Sequence, residues 1–254
     1  MSMIATLART TILEAVRNRL LWLTVLVVVI AFGLAQFLNQ VAIAETREIQ
    51  TALLAAPLRA AAVFIVAAFV ITSTVRESND KVTELLLSLP APRSTYFIGK
   101  LAGYGSIAVI LALVCALPLI LHAQPWGLAL WTASLVCELW IVTAISLFFV
   151  LTLAQVVPAF AAVAGFYLLA RSMTAMQIIS SASLHEQTLA DRVVSAVVGL
   201  IALVLPSLDS MTQTAWLLGT GALGNAWTAV LGQTAIYLVL ICSAALFDLY
   251  RKNF

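Results

Sequence analysis

Glu138 is the one acid deep inside the long apolar runs of this chain. A carboxylate near mid-bilayer costs a few kcal/mol, so it must face water, a cation or hydrogen-bond donors. Its helical neighbours at i−4 and i+4, Ser134 and Val142, supply no cation. Three readings follow: a protonated acid, a structural hydrogen-bonding group, or a group lining a transport pathway.

The second chemically dense feature is Arg76-Glu77-Ser78-Asn79-Asp80-Lys81-Val82-Thr83-Glu84-Leu85-Leu86-Leu87-Ser88-Leu89-Pro90-Ala91-Pro92-Arg93, with five charges in the nine residues from Arg76 to Glu84. The i,i+4 pairs Arg76 with Asp80 and Glu77 with Lys81 support a helix. Leu85, Leu86, Leu87 and Leu89 give it an apolar end, and Pro90 and Pro92 stop it. Leucine anchors with a charged rim suit docking into a groove on a soluble partner. The competing reading is a helix lying flat on the bilayer.

Other chemistries find little to work with. Cys115, Cys137 and Cys242 sit in apolar runs without a CxxC pair, and only two histidines are present, His122 and His185. A zinc site, an iron-sulfur cluster or a disulfide framework is therefore not expected, and the expected metal-ligand set is empty. The net charge of +2, from 13 Lys and Arg against 11 Asp and Glu, provides no basic stripe for nucleic acid. The one Gly-Lys pair, Gly99-Lys100, is followed by Leu101 and has Ser94 where a P-loop needs glycine, so no ATP-hydrolysing motif is present.

The elements that must hold these groups are membrane helices. The chain has 254 residues, 63% apolar and 9% charged, far from soluble usage. The expected fold is an all-α integral membrane protein. A span needs about 20 mostly apolar residues. Charge-free runs with their breaks then place six spans at 20–38, 58–75, 101–121, 128–150, 156–176 and 226–247. Pro57 falls in the first turn of the second span and Arg59 snorkels to the interface. Residues 1–19 space Ile4, Leu7, Ala8, Ile12, Ala15 and Val16 as an interfacial amphipathic helix. The run from Val193 to Leu208 is short and ends near Pro206, which suggests a re-entrant or interfacial hairpin within an external loop, 177–225. With the N-terminus inside, nine of the thirteen cations lie inside, so both termini are expected in the cytoplasm. Gly99 and Gly103 form a GxxxG that permits close helix approach, either within the chain or between copies.

The cytoplasmic stretch, with Glu77, then Thr83-Glu84-Leu85-Leu86-Leu87-Ser88-Leu89-Pro90, Arg93, and Tyr96, Gly99, Lys100 and Gly103 opening the next span, resembles the signature of ABC-2 type transporter permeases. The chain has Val82 where that family often has glycine. The resemblance extends over most of the chain and implies a membrane-embedded exporter subunit in a bacterial cytoplasmic membrane, not itself an enzyme. It further implies a separate ABC ATPase subunit that binds ATP and magnesium, and a second permease copy or close homologue, beside membrane lipid. Residues 76–93 would be the coupling helix, with Arg76, Glu77, Asp80, Lys81, Glu84, Leu85, Leu86, Leu87 and Arg93 at the ATPase contact. Few charges in the spans favour a hydrophobic or amphipathic substrate. The alternatives are an ion-coupled secondary transporter using Glu138 and a membrane-embedded enzyme, which would need a nucleophile and base at one depth.

Overall fold

A computed structural model describes residues 3–41, 46–81, 92–182, 196–201, 205–219 and 224–251, and among them there is helix but no strand. The principal helices are α1 (Met3–Arg17), α2 (Leu20–Val41), α3 (Thr46–Asn79), α4 (Arg93–Ala116), α5 (Pro125–Leu153), α6 (Val156–Ala182) and α7 (Ala226–Arg251). Five of them, α3 to α7, contain segments long and apolar enough to cross a membrane. The chain is a multi-pass membrane protein. Its outer surface carries large apolar side chains such as Trp22, Phe37, Val157, Leu168, Val239 and Phe247, each more than 60% exposed. A water-soluble monomer rarely shows such a surface, whereas lipid tails solvate it.

α5 is the hub, packed against α3, α4, α6 and α7. Its inward residues include Leu130, Trp131, Leu135, Leu139 and Ile141, all fully buried. Pro125 at its first turn uses no backbone donor that a helix needs there, and Ala154 in the left-handed conformation closes its other end.

α1 and α2 meet at 55°, with Arg19 in the left-handed conformation at the bend. α1 buries Leu7, Thr11 and Ala15, one residue per turn, and its principal partner is α4. The contact is close because α4 presents Gly99 and Gly103. A Cβ built on Gly99 would lie 3.0 Å from the Leu7 side chain, and one on Gly103 would lie 2.8 Å from Thr11 Cβ and 3.1 Å from Ala8 Cα. The GxxxG is thus occupied within the chain. We expect Gly103→Val to cost about 1–3 kcal/mol through overpacking and to raise amide hydrogen exchange selectively over residues 7–15. Unchanged protection there would show that α1 does not depend on this seat.

The helices run beyond several of the expected span boundaries. The second span was expected at 58–75, but α3 runs from Thr46 to Asn79 and carries Pro57 in its interior. Membrane bundles tolerate such a proline because neighbouring groups re-satisfy the backbone it disrupts. The charge-free run begins the next span at 101, but α4 starts at Arg93, in keeping with Tyr96, Gly99 and Lys100 at its opening. Charge-free runs misplace these ends because Lys100, only 3% exposed, enters the bundle with its charge compensated by Glu77. Helices α2, α5, α6 and α7 likewise continue several residues beyond the expected ends, to Val41, Leu153, Ala182 and Arg251. In the expected coupling helix 76–93, residues 76–79 are the last turn of α3, and Lys81 turns left-handed immediately after it. Residues 82–91, with Glu84, Leu85, Leu86 and Leu87, lie outside the described residues, as do 183–195 of the expected external loop.

Candidate functional site

Among the described residues, two networks of charged and polar side chains stand out in the apolar bundle. The first joins α1, the C-terminal end of α3 and the N-terminal half of α4. Arg76 on α3 forms an ion pair with Glu14 on α1, whose same oxygen accepts a 2.8 Å hydrogen bond from Ser73. One residue on, Glu77 pairs with the buried Lys100 of α4. Lys100 also donates to Thr11 at 3.4 Å and lies 5.5 Å from the centre of the Tyr104 ring. The Tyr104 hydroxyl donates to Ser73 at 3.1 Å and lies 3.2 Å from the Thr74 hydroxyl. Arg93 reaches from the start of α4 to the Leu249 carbonyl near the end of α7, at 2.7 Å. Arg76 and Glu77 therefore tie helices together, whereas the sequence spacing pointed to Asp80 and Lys81 as their partners. Asp80 and Lys81 are exposed.

The second network surrounds Glu138 at the middle of α5, where no part of the residue reaches solvent. Tyr167 of α6 donates to Oε1 at 2.8 Å, and Thr212 donates to Oε2 at 2.7 Å. Arg171 of α6 stands 3.8 Å from Oε1. Arg59 of α3 donates to the Thr212 carbonyl at 3.2 Å, and its Nε finds no partner among the described residues. Arg171 also donates to the carbonyls of Leu208 and Met211. Ser134, one turn before Glu138, accepts the Thr212 backbone N–H at 2.9 Å.

The cations and acceptors on α3, α5 and α6 therefore grip one segment, 205–219. That segment makes single helical turns at Leu208–Ser210 and Thr214–Leu217 and buries Leu208, Met211, Trp216 and Leu217. Thr212 sits at its centre with φ of +51°. A β-branched residue in the left-handed region is strained, and the hydrogen bonds converging on both its backbone and its hydroxyl hold it there. Gly127 lets the segment approach α5: a Cβ there would fall 1.8 Å from the Trp216 carbonyl oxygen.

Sequence reading singled out Glu138 but missed Arg59, Arg171, Tyr167 and Thr212 as its surroundings. The signal was present, since Arg59 and Arg171 are cations inside apolar runs and Glu138 is an anion inside another. Both Glu138 oxygens are engaged, and the carboxylate ties α5 to α6 and to segment 205–219. Among the described residues no group of three His, Cys, Asp or Glu is placed to hold a metal ion. In comparisons with known proteins, the chain matches no family model and no curated sequence.

Proposed function

We infer that this chain is the permease subunit of an ATP-driven ABC-2 type exporter, working with a separate ATPase subunit. The observation that carries the reading is the Thr83–Pro90 stretch and its position: it bridges the end of α3 and the start of α4. Those two helix ends are locked to one another and to α1 by Arg76–Glu14 and Glu77–Lys100. A push on residues 82–91 would move α1, α3 and α4 as one body. Such rigidity suits a motor that closes on ATP and delivers motion through the short segment between the two helices.

In this reading α2 is the sixth span, and α1 lies at the cytoplasmic interface. Both termini face the cytoplasm, as the positive-inside distribution favours. Segment 205–219 then enters the bundle from the external side and caps it. The pathway forms between two copies of the chain, or between it and a close homologue, in a bacterial cytoplasmic membrane. ATP and magnesium belong to the motor, and the cargo is hydrophobic or amphipathic. An ion-coupled transporter would leave the Thr83–Pro90 stretch without a role, which favours the exporter reading.

Affinity purification of the tagged chain from its native membrane tests the proposal. We expect a soluble P-loop ATPase to be recovered in stoichiometric amount. Recovery of the chain with no nucleotide-binding partner would refute it.

A further inference from the structure

The end of α1 carries a recess of about 550 Å³ lined by Thr10, Leu13, Glu14, Arg17, Asn18 and Arg76. Thr10, Leu13, Glu14 and Arg17 are spaced i, i+3, i+4 and i+7, one stripe of a helix beside the stripe that packs on α4. Two guanidinium groups share this recess with one carboxylate. Glu14 is engaged by Arg76 and Ser73, which leaves the exposed charge of Arg17 in excess.

The surroundings say what kind of anion belongs there. Leu13 and Val16 are more than half exposed on α1, and Trp22 is 74% exposed where α2 begins. Beyond it Leu23, Leu26, Val29 and Ile30 continue the exposed apolar face of α2. The recess thus lies where an apolar, tail-facing helix surface gives way to cations. Indoles favour that depth, and arginine side chains reach headgroups from it.

We propose that this recess binds the phosphate of an anionic phospholipid, with Arg17 as its principal cation, Arg76 beside it shared with Glu14, and the lipid's chains against Leu13, Val16 and α2. A guanidinium gives the phosphate a fork of charge-assisted hydrogen bonds. The bound lipid anchors the α1–α2 bend to the membrane surface. This site does not depend on the transport reading.

The test uses the full chain, delipidated in detergent and titrated with phosphatidylglycerol or phosphatidylcholine, with adducts counted by native mass spectrometry. The expected result is tighter binding of phosphatidylglycerol. Arg17→Gln should weaken it about fivefold, the share of one cation at an anionic surface, without altering phosphatidylcholine binding or the melting temperature. Arg17→Lys should retain most of the binding, and soluble glycerol phosphate should not compete. Equal affinity for the two lipids, or no effect of Arg17→Gln, would overturn the proposal. Displacement by glycerol phosphate would make the recess a free-anion site and also overturn it. So would an Arg17→Gln variant that keeps its lipid but releases a co-purified soluble subunit, because the recess would then be a protein-docking face.

Discussion

Replacing Glu138 with alanine should destabilise the folded chain by about 3–5 kcal/mol, the range for removing one partner of a buried ionic network. The reason is what stays behind. Tyr167 loses its acceptor, Thr212 loses the carboxylate that holds its hydroxyl, and Arg171 loses the anion 3.8 Å away. Glu138→Gln should cost distinctly less: its amide oxygen can still accept from Tyr167, and its amide N–H can donate to the Thr212 hydroxyl. Unfolding in detergent, followed for both variants, should rank wild type above glutamine and glutamine above alanine. Proteolysis of the alanine variant should start in segment 205–219, which the network grips. Two variants as stable as wild type would show that Glu138 is not an anchor.

The second large effect is expected at the stretch that joins α3 and α4. In the proposed exporter, Leu86→Ala would remove an apolar anchor of the motor contact, and Glu84→Arg would reverse a charge two positions away in the sequence. Truncating such an anchor typically costs at least about 2 kcal/mol, roughly a thirtyfold loss of affinity. The double variant should insert and fold normally, since α3 and α4 remain joined through Glu77 and Lys100. On purification it should no longer retain the ATPase, or should hydrolyse ATP without transport. Normal retention with normal transport would place the contact elsewhere, with α1 as the next surface to test.

How much of this was legible in the sequence depends on the distance over which each residue finds its partner. The all-helical membrane architecture follows from apolar runs and their breaks, which are local properties. Helix ends do not: a charge reads locally as the end of a span, yet Lys100 is buried because Glu77 meets it from 23 positions away. Pro57 looked like a helix start because nothing local shows that the helix began eleven residues earlier, at Thr46. Glu138 was recognisable as a residue in need of partners. Those partners come from α6 and from segment 205–219, which periodicity cannot bring together. Gly99 and Gly103 announced a close approach without saying to what, and the answer, α1, lies about ninety residues upstream. Arg76 and Glu77 had plausible partners one turn away, but the bundle supplied others in Glu14 and Lys100.

The proposed dependence of this chain on a separate motor is tested most directly by nucleotide hydrolysis and transport in proteoliposomes, comparing the chain purified alone with the complex captured from its membrane. The chain alone should neither hydrolyse ATP nor move cargo under an imposed proton or sodium gradient. The captured complex should do both when ATP is supplied, with hydrolysis blocked by vanadate. Gradient-driven transport by the chain alone, with no nucleotide present, would contradict the account and make it a secondary transporter.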